Sequence, residues 1–350
     1  MPMRWANLAA PPAEGAPERA APATPPLPLA LPGATVRTFD TPGFAGMTFY
    51  EVRAKSIINR VPGASRVPFE WTINPYRGCS HACKYCFARN THTYLDLDAG
   101  ADFDQKVIVK VNAGELVRRE LAAPRWRGAH IAMGTNVDCY QRAEGRYQLM
   151  PQIIAALRDF ANPFSILTKG TLLLRDLPLL RQAAEVTRVG VSYSVGFVDE
   201  RLWRAVEPGT PSPRRRLDAV RTLTDAGFSV GVLMAPILPG LSDDDESIDA
   251  TVAAVAAAGA TSVSAIPLHL RPGAREWYAN WLAREFPHLV PRYRELYRAG
   301  SYAPQAYQRE LTARVRIASR RHGMHRGERG ESRDLPEPPS PPAAEQLTLL

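Results

Sequence analysis

FEWTINPYRGCSHACKYCFARN, residues 69–90, decides how the rest of this 350-residue chain is read. Cys79, Cys83 and Cys86 fall in a C-x3-C-x2-C spacing, and Tyr85 stands directly before the last cysteine. Three thiolates can hold three irons of a 4Fe–4S cluster and leave the fourth open to a substrate or cofactor. Four thiolates close the cluster, which then only passes electrons. Zinc sites more often pair C-x2-C units into four ligands close in sequence, so zinc, or a set of inert thiols, is the competing reading.

Composition agrees with a cluster. The chain has four cysteines, and three of them lie in this one loop. That clustering is wrong for a disulfide framework and suits a metal site in a reducing compartment. No run of about 18 apolar residues is present, so no membrane span is expected. The N-terminus lacks the charged start and apolar core of a secretory signal. A cytoplasmic protein is the resulting expectation. The formal net charge is +8. Residues 271–333 carry much of the excess, with fourteen Arg, six Glu and no Lys. Such a face can meet nucleic acid or another polyanion, or it can be a solvated helical surface.

Outward from the cysteine loop, short apolar runs alternate with helical patterns. FEWTIN (69–74) leads into the loop. AHIAMG (129–134) follows NAGELVRREL (112–121), whose Asn112 is placed to cap a helix. FSILTKG (164–170), RVGVSYSV (188–195), FSVGVLMAPI (228–237) and TSVSAIPL (261–268) each follow a helical stretch. Gly227 fits a helix C-cap, and the acid-rich SDDDESID suits a helix N-terminus. KVIVKV (106–111) reads as an additional short strand. Six strand-plus-helix units argue for parallel strands joined by crossover helices. They suit either a partial barrel or an open doubly wound sheet, and the pattern alone does not choose.

The expected organisation has five parts. Residues 1–35 form a disordered tail, because nine prolines in the first 33 residues prevent helix and leave little to bury. Residues 36–64 form an extension packing on the core, 65–270 the core, and 271–320 a helical extension. In that extension Trp277, Trp281, Leu282 and Phe286 recur at helical spacing, as residues that pack on the barrel's open side, with a base-stacking platform as the rival reading. Residues 321–350, with PEPPSPP, form a second disordered tail.

The cysteine motif with its aromatic resembles the signature of the radical S-adenosylmethionine (SAM) superfamily. The longer stretch from INPYRGC to VRREL, together with GTNVDCYQRAEG (134–145), LTKGTLLLRDL (167–177), EPGTPSPRRR (207–216) and APILPGLSD (235–243), resembles the branch grouped with spore photoproduct lyase and DNA repair photolyase-like proteins. The resemblance implies a partial (βα)6 TIM-type barrel with the cluster loop after the first strand. It also implies a 4Fe–4S cluster on Cys79, Cys83 and Cys86, and cleavage of SAM to a 5′-deoxyadenosyl radical. A reductant such as flavodoxin or ferredoxin would serve as partner, and a nucleic acid or other polyanion is a candidate substrate.

Barrels build their sites at the C-terminal ends of the strands. The candidate cofactor contacts are therefore Tyr85 in the motif; Gly134, Thr135, Asn136, Asp138 and Glu144 after the second strand; Lys169 after the third; Ser192 and Ser194 on one face of the fourth; and Arg215 beyond it, with Arg216 as its rival. In spore photoproduct lyase a cysteine quenches the substrate radical, so Cys139 is a candidate hydrogen donor, with Tyr140 as competitor. The reading from a different class is a nucleic-acid-binding or redox-sensing iron–sulfur protein that does not cleave SAM.

Overall fold

The computed structural model describes residues 5–6, 31, 33–62 and 67–324. The tails expected at residues 1–35 and 321–350 therefore fall largely outside the described residues. Six strands run in parallel: β1 (Trp71–Ile73), β2 (Ile131–Met133), β3 (Phe164–Thr168), β4 (Val189–Ser194), β5 (Val230–Ile237) and β6 (Ser262–Pro267). Their order across the sheet is sequential, and Ile58–Arg60 lies antiparallel beside β1 at one edge. Sequential order settles the choice that the pattern left open. A doubly wound sheet reverses direction at a switch point. Here every crossover steps the same way, and the sheet ends at β6 without pairing back to β1. The result is a partial barrel.

The crossover helices are α1 (Ala113–Leu121), α2 (Leu149–Asp159), α3 (Leu177–Val186), α4 (Pro213–Asp225) and α5 (Asp245–Ala257), and α6 (Gln305–Arg321) packs beside them after β6. Alternation along β4 shows how the sequence sorts its faces. Val189, Val191 and Tyr193 join the main core between sheet and helices, together with Ile154 and Val220. Ser192 and Ser194 take the other face.

Helix signals are met with one exception. Ser212 and Asp244 cap α4 and α5, each side chain accepting a backbone N–H. Gly227 takes φ +92° just past α4. Asn112 does not cap α1 through its side chain. Its amide instead bonds in both directions to Ala54, accepting from N–H and donating to C=O at 2.9 Å each. Two buried backbone groups at a strand end outcompete one helix N–H.

KVIVKV forms Lys106–Lys110, but in a second sheet. There it runs parallel to Thr48–Ala54 and antiparallel to Tyr76–Arg77. This small sheet grips the chain immediately before Gly78 and the cysteines. Between β6 and α6, the helix Ala274–Glu285 and the segments after it form a separate apolar cluster. Tyr278, Trp281, Leu282 and Tyr293 pack there with Cys83, Tyr85, Phe197 and Leu268. This insertion packs against the cysteine loop.

Candidate active site

The cysteine loop leaves β1 at its C-terminal end and is fastened on every side. Gly78 sits at φ +82°, where an added Cβ would come within 2.7 Å of the Lys106 carbonyl. The buried Gln141 amide accepts from the Ser80 N–H at 3.0 Å and donates to the Gly78 carbonyl at 2.8 Å. Lys84 N–H donates to the Val206 carbonyl, and Gly209 N–H to that of His81.

Cys79 and Cys83 are buried and Cys86 is half-buried. Burial pushes all three thiols up, Cys79 well above its ordinary range; the neighbouring Cys83 and Cys86 add to the Cys79 shift. The three sulfurs therefore sit within electrostatic reach of one another. Burial outweighs the nearby Lys169, Arg216 and Arg89 charges at Cys83 and Cys86, and a bound cation would stabilise the three thiolates, which is the chemistry of a metal-ligand set. Among the described residues no three His, Cys, Asp or Glu side chains close to the spacing of a single metal ion. A cluster puts its thiolates on separate irons and asks for a wider triangle. Three thiols on one loop are a donor set that fits a cluster held through three of its irons.

Beside the cysteines lies a buried polar hub centred on Glu207. Its carboxylate accepts from the Tyr85 hydroxyl and from Arg216 Nη2, and Lys169 Nζ lies 3.8 Å away. Arg216 also donates to Thr210 Oγ1 and the Ser194 carbonyl at 2.9 Å each. Lys169 Nζ donates to Ser194 Oγ. Burial alone would push the Glu207 carboxyl up, but the charges of Arg216 and Lys169 and the hydrogen bonds outweigh it and hold it below its ordinary range. Two cations face one carboxylate, which leaves positive charge in excess. The Cys83 thiol feels Glu207, Lys169 and Arg216, so hub and cluster loop share one electrostatic environment.

The remaining candidates separate by what holds them. Asp138 ties strand ends together, accepting from Thr168 Oγ1 at 2.6 Å, Lys169 N–H at 2.7 Å and Tyr140 N–H at 2.9 Å, with His81 Nδ1 at 3.4 Å. Glu144 is fully buried and accepts from Tyr76, Arg175 and the N–H groups of Leu149 and Met150, which fixes the start of α2. Gly134, at φ +74°, lets the end of β2 approach β3, since a Cβ there would lie 1.8 Å from the Leu167 carbonyl. Thr135 bonds Thr72 across the strand ends at 3.0 Å, and Asn136 is half-buried. Arg215 is exposed at the start of α4, whereas its neighbour Arg216 turns into the hub. Cys139 is 1% exposed within the main core, and the Tyr140 hydroxyl donates to Asp176 at 2.9 Å.

Glu207, Gln141 and Arg89 went unnoticed in the sequence. Glu207 stands in a stretch that the sequence had marked, but a lone Glu among prolines carries no signal of burial. A recess lined by Arg60, Trp71 and His130 lies at the opposite, N-terminal ends of β1 and β2.

The family model described as Radical SAM superfamily matches residues 73–251, which hold the cysteines, the hub, the last residue of β1 and all of β2 to β5. The chain belongs to the radical SAM superfamily. As a radical SAM enzyme it has relatives in sequence and neighbours in fold. The uncharacterized protein Rv2578c of Mycobacterium tuberculosis (strain ATCC 25618 / H37Rv) is 52% identical over 290 residues, covering 82% of this chain and 85% of that one. The uncharacterized protein MJ0683 of Methanocaldococcus jannaschii is 30% identical over 203 residues, covering 57% and 72%. Among solved structures, spore photoproduct lyase complexed with dinucleoside spore photoproduct matches with a TM-score of 0.60 at 15% identity, covering 78% and 79%. A mutant of the same lyase with bound AdoMet and the dinucleoside matches at 0.60 and 16%, covering 78% of each chain. At that identity the likeness is one of fold. Among the described residues of this radical SAM protein, no helix is long and apolar enough to cross a membrane.

Proposed function

We propose that this chain binds a 4Fe–4S cluster through Cys79, Cys83 and Cys86 and cleaves SAM reductively. The observation that carries the reading is the placement of three thiols at the C-terminal end of β1, within reach of a buried hub with more cations than carboxylates. When bound, the cluster supplies an electron to the sulfonium of SAM, which yields methionine and a 5′-deoxyadenosyl radical.

This chain's residues do the rest. Lys169 is 13% exposed and holds the hub's unmatched charge, so it receives the methionine carboxylate. Tyr85 and Arg216 keep Glu207 ionised and Lys169 oriented. Ser192 and Ser194 present the sheet's inner face to the cofactor, and the turn Gly134–Thr135–Asn136 borders it from β2. The insertion carrying Trp281 and Tyr278 excludes water from the cluster side.

The substrate we infer is a nucleic acid or another anionic molecule. Support comes from the arginine-rich 271–333 stretch and from the dinucleoside named in the lyase complexes. Part of that arginine charge is spent inside the fold: Arg292 pairs with Asp243, Arg314 with Asp245 and Arg321 with Asp249. A flavodoxin- or ferredoxin-type donor in a reducing, cytoplasmic compartment would supply the electron.

The test is anaerobic: reconstitute with iron and sulfide, reduce, add SAM and quantify 5′-deoxyadenosine with and without nucleic acid. Cleavage that disappears in Cys83→Ala supports the reading. A fully loaded cluster that never cleaves SAM, with any candidate substrate, sinks it in favour of a binding or redox-sensing protein.

A further inference from the structure

Arg89 lies three residues beyond Cys86 and is completely buried. Its guanidinium donates to the Cys83 carbonyl from Nε at 3.3 Å and from Nη2 at 2.9 Å. Nη1 donates to the carbonyls of Ala99 and Gly100 at 3.2 and 2.8 Å. Nη2 also meets both oxygens of Asp104, at 2.7 and 3.0 Å. The rings of Trp277 and Phe103 lie 4.7 and 5.2 Å from the guanidinium carbon.

Holding a loop does not by itself require a cation, because neutral donors can bond carbonyls. A buried full charge is costly unless it is matched, and this one is matched on one side only. Asp104 takes part of the charge, and the other side faces the backbone of the cysteine loop. Trp277 belongs to the helix Ala274–Glu285, so the insertion seals this cation from water and keeps it unscreened.

Resting on the proposed cluster, we infer that Arg89 is a positioning residue that sets the cluster's reduction potential, with Asp104 as its counterweight. Reduction adds one negative charge to the cluster, with the electron coming from an external one-electron donor and no ligand leaving. A nearby buried cation stabilises the reduced form, and a carboxylate behind it opposes that effect. Arg89 and Asp104 therefore move the potential in opposite directions.

The experiment uses the full chain, reconstituted anaerobically, as wild type, Arg89→Gln, Arg89→Lys and Asp104→Asn. Iron and sulfide are counted first. The reduced fraction is then read by electron paramagnetic resonance at a series of poised potentials. Arg89→Gln is expected to lower the reduced-to-oxidised ratio about tenfold at fixed poise, about 59 mV for one electron. Asp104→Asn is expected to raise it, and Arg89→Lys to stay near wild type. Fully loaded Gln and Asn variants with unchanged potentials, or with shifts of the same sign, overturn the inference and leave Arg89 a loop fastener. If Arg89→Gln takes up no cluster, Asp104→Asn decides: an upward shift supports the inference and no shift overturns it. A wild-type chain that takes up no iron removes the cluster reading, and this inference with it.

Discussion

Glu207 shows what single residues contribute here. It is 1% exposed and bonded to Tyr85 and Arg216. Removing its charge strands the buried Arg216 and leaves the partly exposed Lys169 without its carboxylate, and losing one partner of a buried pair costs about 3–5 kcal/mol. Glu207→Gln is therefore expected to lower the thermal midpoint markedly while far-UV circular dichroism at low temperature is retained. The pH dependence has a definite sign. Arg216, Lys169 and the hydrogen bonds overcome the upward push of burial and keep the folded carboxyl below its unfolded value. Its stabilisation is thus complete above the unfolded pKa and is lost as pH falls through the lower folded one. The wild type should lose stability below about pH 4 more steeply than Glu207→Gln; thermal melts at a series of pH values that ran parallel would exclude this role. The cysteines were legible because their spacing is itself the signal. Glu207 and Arg89 were not, because each acquires meaning only from partners such as Tyr85, 122 residues away from Glu207.

At the scale of elements, the six strands could be read because each is a short apolar run bounded by turn residues. Their order across the sheet could not, since a sequential barrel and a doubly wound sheet share the same alternation. Asn112 illustrates a local rule overridden by tertiary structure, its amide going to Ala54 rather than to the helix start. Gly209 shows how the elements meet. It follows the short helix Glu200–Val206, and its backbone passes directly over the cysteine loop. A Cβ there would lie 2.0 Å from the Ser80 carbonyl oxygen and 2.9 Å from the His81 carbonyl carbon. Both obstacles are backbone, so no side chain can swing aside. Gly209→Ala is expected to displace the cysteine loop at a cost of about 1–3 kcal/mol. Iron retained after reconstitution should fall well below wild type, with the far-UV spectrum unchanged. Full iron loading of this variant would mean that the loop tolerates the shift.

For the whole molecule, the decisive feature is that the chain leaves the barrel after β6, builds the insertion against the cysteine loop and returns to pack a sixth helix on the barrel. α6 packs on β6 and α5 and contributes Leu311, Val315 and Ala318 to the main core. Its arginines reach the acidic start of α5, so the stretch read as a basic surface is also a structural clasp. The two contributions differ in kind. Leu311 is 1% exposed, and truncating such a side chain costs about 2–5 kcal/mol through lost burial and the cavity left behind. The Arg314 pair has an Asp245 partner 87% exposed, and exposed pairs contribute about 0–1 kcal/mol. Leu311→Ala is therefore expected to shift the denaturation midpoint strongly, and Arg314→Ala scarcely at all. Because the insertion is strung between β6 and α6, weakening α6 should also loosen Trp277 and Trp281 beside the cysteine loop. The Leu311→Ala protein should consequently release iron faster to a chelator at temperatures below its global unfolding. An unchanged release rate, with the midpoint lowered, would show that α6 stabilises the barrel without coupling to the cluster site.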